Sequence, residues 1–325
     1  MVSMNRLTTE KRAQVIGALI EGNSIRATVR MTGAAKNTVT KLLVELGAAC
    51  AAYQDRVLRE LPCKTIECDK LWAYCYAKQK NVPERFQGQP GYGDVWTWVA
   101  ICADTKLIPS WLVGERTAED AWAFMLDLSN RVPGRSQLTT DGHGQYPPAV
   151  DLAFGREGRV DYAMLEKVYG SPPREDQRRY SPAVCLGVNQ RALRGNPDPA
   201  KISTSYVERS NLTLRMGCRR YTRLTNAFSK KVENHAHAVS LHFMHYNFAR
   251  PHSSLKNPYP RTPAMAAGVA DHVWSLAEIV ELLPQPRVGP RKRALEPAPQ
   301  VPEERGPSRA RQHYRSRPSG GASSN

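Results

Sequence analysis

Cys63-Lys-Thr-Ile-Glu-Cys-Asp-Lys-Leu-Trp-Ala-Tyr-Cys-Tyr76 alternates apolar and polar side chains, the period-two pattern of a β-strand. Asp69 sits in its middle, where aspartate is disfavoured unless it has a task. A polar loop over 78–93 leads to a second strand, Asp94 to Asp104. The turn Asp104-Thr-Lys106 leads to a third, Leu107 to Val113. Three strands at hairpin spacing predict an antiparallel meander. Thr117 then caps an amphipathic helix to Arg131, with Asp120 in the place of the capping-box acid. Ser136-Gln-Leu-Thr-Thr-Asp-Gly142 is a short strand ending in Asp141, the end at which α/β proteins present ligand-binding groups. A helix over 149–154 and a strand over 159–168 follow. Residues 170–202, broken by Ser-Pro-Pro, Ser-Pro and Gly-Asn-Pro-Asp-Pro, read as a loop-rich insertion. The expected fold class is α/β, a mixed sheet flanked by helices.

Ser203-Thr-Ser-Tyr-Val-Glu-Arg-Ser-Asn-Leu-Thr-Leu-Arg-Met-Gly-Cys-Arg-Arg220 closes this region as a helix of about three turns that stops near Gly217. Glu208 and Arg215 are two turns apart on one face. From Tyr206 to Arg261 ten Lys and Arg residues face only Glu208 and Glu233, with seven aromatics interleaved. Such a surface suits a polyanion. An acid inside it either neutralises a neighbour, Arg209 or Arg215 in an ordinary helix ion pair, or holds a cation. Asp69, Asp141 and Glu208 thus follow the order strand, strand, helix. Carboxylates converging at about 4 Å would repel by roughly 4 kcal/mol per pair at an effective dielectric near 20, so divalent cations would have to fill the site. Oxygen-only ligands select Mg²⁺ or Mn²⁺ over zinc. Two such ions can polarise a scissile phosphate and activate an attacking hydroxyl. Glu67 shares a strand face with Asp69 but precedes it, and Asp104 reads as a hairpin-turn residue.

The first fifty residues predict three helices. Thr8 or Thr9 caps the first, to about Glu21, and Ser24 caps a second, Ile25 to Met31. Thr32-Gly33 is a tight turn. A third runs from about Ala35 or Asn37 to Leu46, with Gly47 closing its C-terminal side. Two short helices around a glycine turn form a helix-turn-helix. Lys36, Asn37, Thr38, Thr40 and Lys41 at the start of the third helix suit base edges and phosphates; the alternative is a small bundle that binds protein. Residues 51–62 read as a linker helix ending at Pro62.

Ser229 to Ala249 is helical, with His235, His237, His242 and His245 close together. A packed, hydrogen-bonded or DNA-facing set is expected over a zinc site, since a Cys or carboxylate at ligand spacing is missing. Arg250-Pro-His-Ser-Ser254 either touches phosphate or caps the helix. With Arg250 and His252, the basic residues Arg219, Arg220, Arg223, Lys230 and Lys231 are the expected DNA contacts of this half. Ser275-Leu-Ala-Glu278 is a capping box for a last helix. From Pro284 to Asn325 Pro, Arg, Ser and Gly dominate, the composition of a disordered basic tail.

The net charge of the 325 residues is +16 and the pI about 9.7, which favours nucleic acid or an anionic surface as partner. A run of 18 apolar residues, as a membrane span needs, is missing. The N-terminus lacks a signal-peptide apolar block, so a cytoplasmic, nucleoid-associated protein is expected. Seven cysteines without a C-x-x-C pair read as reduced structural thiols.

With these residues in place the chain resembles bacterial insertion-sequence transposases of the DDE type, and within them the insertion-sequence-one family. The likeness rests on Glu-Cys-Asp-Lys-Leu-Trp (67–72), Thr-Thr-Asp-Gly-His (139–143) and Ser-Tyr-Val-Glu-Arg-Ser-Asn-Leu-Thr-Leu-Arg (205–215). It extends to Arg-Arg-Tyr-Thr-Arg-Leu-Thr-Asn-Ala-Phe-Ser-Lys-Lys (219–231) and Tyr-Asn-Phe-Ala-Arg-Pro-His-Ser-Ser-Leu (246–255). The resemblance implies an RNase H-like catalytic domain over 63–283 behind a helix-turn-helix domain over 1–50. It implies Asp69, Asp141 and Glu208 as the catalytic and metal-binding triad with two Mg²⁺ (or Mn²⁺), and Arg215 as a DNA contact. Element ends and target DNA would be the substrates, and a homodimer or larger assembly would hold two ends. The 66 residues between Asp141 and Glu208 exceed the compact spacing typical of that family. Two rivals share these features: a helix-turn-helix regulator with an inactive core, and a nuclease acting on RNA–DNA hybrids.

Overall fold

The computed structural model describes residues 7–155, 158–170, 184–222 and 226–284. Arg223 and the basic tail from 285 onward lie outside the described residues, as does 171–183 of the expected insertion.

Three helices open the chain: α1 (Thr9–Ile20), α2 (Ile25–Thr32) and α3 (Lys36–Val57). Thr8 and Ser24 cap the first two as expected, accepting from the Lys11 and Ala27 N–H groups. Gly33 ends α2 at φ 70°, a backbone state that costs glycine little. Gly47, however, does not cap α3. The helix runs through it to Val57, so the expected end at Leu46 is absent and the first part of the expected linker helix continues the same 22-residue helix, which stops at Leu58 and not at Pro62. Gly47 is instead a site of close approach. A Cβ there would lie 2.5 Å from the His237 Cβ and 2.6 Å from its carbonyl oxygen. Beside it Ser240 Oγ donates to the Gly47 carbonyl at 2.8 Å, and Gln54 Nε2 to the Ser240 carbonyl at 3.2 Å.

The sheet follows: β1 (Thr65–Cys75), β2 (Gly93–Cys102), β3 (Ser110–Gly114), then α4 (Ala118–Arg131), β4 (Ser136–Asp141), α5 (Tyr146–Phe154), β5 (Val160–Tyr169) and β6 (Cys185–Arg194). Its order among the described residues is β3-β2-β1-β4-β5-β6. β1, β2 and β3 pair antiparallel, β4 and β5 lie parallel to β1, and β6 returns antiparallel. The expected meander is therefore present. The third strand starts at Ser110, past Pro109, which has no N–H to give the ladder. Thr117 Oγ1 accepts from the Asp120 N–H, but the Asp120 carboxylate accepts from the Glu115 N–H at 2.7 Å, so the capping box does not close. β6 corrects the reading of 170–202 as loop: its side chains are almost all exposed, so no buried face imposed an alternating pattern.

The remaining helices are α6 (Ser205–Gly217), α7 (Val232–Met244) running on into a π-turn at His245–Ala249, α8 (Pro263–Ala266) and α9 (Leu276–Glu281). Ser275 and Glu278 close the expected capping box of α9. One apolar cluster joins side chains of α1 and α3, the sheet, α4 to α7 and α9. Arg131 ties α4 to the end of α3 from within: its buried guanidinium donates to both Asp127 oxygens, to Asp55 Oδ1 and to the Leu58 carbonyl. No helix among the described residues is long and apolar enough to cross a membrane.

Candidate active site

Parallel pairing brings the two aspartates together. Cys68 on β1 faces Thr140 on β4, so the next residues, Asp69 and Asp141, leave adjacent strands on the same face. Glu208 arrives on the first turn of α6, which Glu67 holds against β1. The buried Glu67 Oε2 accepts the N–H groups of Tyr206 (2.7 Å) and Val207 (3.0 Å), two of the donors a helix start leaves unpaired. Burial raises the Glu67 pKa above the ordinary carboxylate value against the pull of those bonds. Glu67 is therefore no ligand candidate; it fixes where Glu208 sits.

Asp69 is half-buried and accepts from Asn211 Nδ2 at 2.8 Å. Its pKa is pushed up to about 6, first by burial and next by the Asp141 charge, with Glu208 adding and Lys70 opposing. The other two acids each have an ammonium partner. Lys70 Nζ, its side chain only 4% exposed, meets Asp141 Oδ2 at 2.6 Å and lies 5.5 Å from the centre of the Tyr146 ring. Lys167 on β5 reaches both Glu208 oxygens at 2.5 Å, and Thr204 Oγ1 donates to Glu208 Oε1 at 2.7 Å. The ion pair Glu208 makes is this cross-element one with Lys167, in place of the intrahelical pair with Arg209 or Arg215 that was the alternative to holding a cation. Lys167 and Asn211 were not singled out in the sequence. Asn211 lies three residues past Glu208, the helical spacing that makes neighbours, and that signal was legible.

Asp69 thus feels the charges of both Asp141 and Glu208. Even so, no group of three His, Cys, Asp or Glu side chains among the described residues is gathered closely enough to hold a metal ion. The donors fit a hard divalent cation in their chemistry. They are three carboxylates, and beside Asp69 stands the buried Asn211 Oδ1, an oxygen with no hydrogen-bond partner. Lys70 and Lys167 each neutralise one of the acids, Asp141 and Glu208. Around them His143 is held neutral, its pKa lowered to about 4 by burial and by the charges of Lys70 and Arg116.

The expected DNA contacts divide. Lys36, Asn37 and Lys41 are exposed at the start of α3, with Lys41 3.6 Å from Glu45. Thr38 and Thr40 are half-buried, and the Thr40 hydroxyl donates back to the Lys36 carbonyl at 3.0 Å. Lys230, Lys231 and Arg250 are exposed, Arg215, Arg219 and His252 half-buried. Arg220 departs from the expected surface contact: it is half-buried, burial lowers its pKa, and it donates to Ser229 Oγ at 2.9 Å. That serine also bonds His235 Nδ1, and His235 Nε2 bonds the Tyr221 hydroxyl. His235 is thus packed and hydrogen-bonded.

No protein-family model matches the chain, and no curated protein matches it.

Proposed function

We propose that this chain is a DDE-type DNA transposase, a polynucleotidyl transferase with an RNase H-like core and a helix-turn-helix formed by α2 and α3. One observation carries the reading: Asp69 and Asp141 leave adjacent parallel strands on one face, and the Asp69 carboxyl feels both Asp141 and, on α6, Glu208. The antiparallel β1 to β3 followed by parallel β4 and β5 supports an RNase H-like sheet. The exposed cations of α3 and of the segment leading into α7 support DNA as partner.

Asp69, Asp141 and Glu208 would hold two Mg²⁺ or Mn²⁺ ions, with Asn211 orienting Asp69. Bound divalent cations supply Lewis acidity at the scissile phosphate and a lowered pKa for the attacking water or 3′-hydroxyl. The protein's own part is to fix the three carboxylates, Glu208 through Glu67 and α6. It also offers Lys70 and Lys167 as ammonium groups for phosphate oxygens. The acids act as ligands and not as nucleophiles, so no covalent protein–DNA intermediate forms. Joining two element ends calls for a homodimer or larger assembly.

The test is nicking and strand transfer on DNA carrying the ends that flank the coding gene, with Mg²⁺ or Mn²⁺. Asp69→Asn, Asp141→Asn and Glu208→Gln should each abolish cutting while leaving end binding near wild type; cutting retained by any of them rejects the triad. Wild-type protein that shifts these ends in a gel but never nicks them would be a regulator. One that hydrolyses RNA–DNA hybrids without joining a labelled 3′ end to plasmid would be a nuclease.

A further inference from the structure

Away from the acids, a cavity of about 540 Å³ opens between α1 to α3 and the C-terminal end of α6, bordered by the segment leading into α7 and by the second half of that helix. Arg26, Lys36, Arg219, Arg220 and Lys230 line it, and among the described residues no Asp or Glu does. None of these five cations has an ion pair with a carboxylate among the described residues. Arg220 is the telling one, because among the described residues this half-buried guanidinium donates to a serine hydroxyl and meets no carboxylate. An anion is what this wall is missing.

A second observation points to a ligand independently of charge. His242 lines the same cavity, is only 5% exposed, and its buried Nδ1 has no hydrogen-bond partner. Burial holds the imidazole neutral, its pKa lowered to about 3, so it offers one donor and one acceptor rather than another charge. The rest of the wall is mixed: Asn23, Ser24 and Asn226 add neutral polar groups, and Leu19, Leu43 and Phe228 are among its apolar members, the Phe228 ring stacked on Tyr74 at 5.2 Å. The volume lies within the roughly 300–1,000 Å³ of small-molecule pockets, far more than a bare phosphate fills and far too little for a duplex. A ligand that is anionic at one end and planar and apolar at the other, with hydrogen-bonding edges, matches all three features.

We propose that this cavity binds a nucleoside phosphate, either free or as a single nucleotide turned out of a DNA strand. The phosphate meets the five cations, the base lies along the apolar part of the wall by Phe228, and His242 bonds the base or sugar. The inference does not rest on chemistry at the acids. A failed cutting test leaves the pocket's binding test as it stands, and because Lys36, Arg219, Arg220 and Lys230 are also expected DNA contacts, the pocket is tested by binding of the small probes and not by cutting.

The experiment uses the full chain and two probes, a short fluorescein-labelled single-stranded oligonucleotide followed by polarisation and deoxyadenosine monophosphate followed by calorimetry, with inorganic phosphate as competitor. Arg219→Ala with Lys230→Ala removes two rim cations, and Ala238→Trp fills the volume. Each is expected to weaken the probe that binds by about tenfold. Deoxyadenosine monophosphate that binds one to one and displaces the oligonucleotide identifies a free nucleotide as ligand. An oligonucleotide that binds alone, sensitive to both variants, identifies a nucleotide within a strand. Affinities for both probes that stay within about twofold of wild type in the rim variant, or inorganic phosphate that competes as well as the nucleotide, would overturn the assignment. The exposed Lys230 and half-buried Arg219 keep the result readable should Ala238→Trp fail to fold.

Discussion

Asp69→Asn in the cation-free protein should raise stability at pH 8 and change little near pH 4. Asp69 has its pKa raised from 3.8 to about 6 by burial, then by the Asp141 charge. The folded chain therefore holds this proton more tightly than the unfolded one. The resulting stabilisation is complete below 3.8 and is lost as pH rises through about 6. The shift of about two units corresponds to something on the order of 3 kcal/mol. Asparagine has the shape of the protonated acid and keeps an oxygen for the Asn211 amide, so it escapes the loss. Subtracting variant from wild type cancels other titrations, such as Glu278, whose pKa is held down to about 2 by the Ser275 N–H and by His272.

The measurement is urea unfolding with chelator present, followed by fluorescence of the six tryptophans at several pH values from 4 to 8. The stability difference should be near zero at the acid end and open through pH 4 to 6, with the variant ahead above that. Saturating Mg²⁺ at about 100 times its dissociation constant should then return roughly 2.7 kcal/mol to the wild type alone. A difference curve that is flat with pH, or a variant that is less stable at pH 8, would refute the crowding of Asp69 by the other two acids.

Glu67→Ala leaves the Tyr206 and Val207 N–H groups without their acceptor in a buried place, at a cost of about 2–4 kcal/mol in urea unfolding. Glu67→Gln, which keeps an oxygen there, should recover most of it, and equal losses in both would exclude the helix-anchoring role. Gly47→Ala drives a methyl to within 2.6 Å of the His237 carbonyl and should lower stability by about 1–3 kcal/mol or more; an unchanged melting temperature would mean α3 and α7 do not touch there. Arg131→Met strips Asp127 of its bidentate partner inside the core, costing about 3–5 kcal/mol. Adding Asp127→Leu should restore part of that loss, and no recovery would place the penalty elsewhere.

What the sequence made legible was what neighbouring residues decide. The caps at Thr8, Ser24 and Ser275 and the hairpins from β1 to β3 each depend on residues a few positions apart, and all are present. Gly47 failed because a glycine after an apolar run reads equally as a helix stop or as room for a neighbour. The neighbour here, His237, is 190 residues away in the chain. β6 failed because strand signals depend on a buried face, and Leu186 and Val188 are 71% and 52% exposed. Arg220 looked like one more surface cation until Ser229 and His235 enclosed it. Lys167 had no local mark at all, since its meeting with Glu208 depends on β5 lying at the end of the same face.

Glu67 shows how the triad's geometry was half visible. On a strand, Glu67 and Asp69 share a face and stand about 7 Å apart. On α6 their partners are Tyr206 and Val207 for Glu67 and Asn211 for Asp69, four to five residues apart and so about 6–7.5 Å along the axis. The two spacings match, so α6 lies along β1 in one register, pinned at both points. Glu208 stands on the helix between those pins. A slip of α6 by one residue would rotate Glu208 by about 100° and shift it about 1.5 Å, breaking both pins together. The buried acid that precedes Asp69 is thus what fixes the helix start from which Glu208 acts on the Asp69 carboxyl.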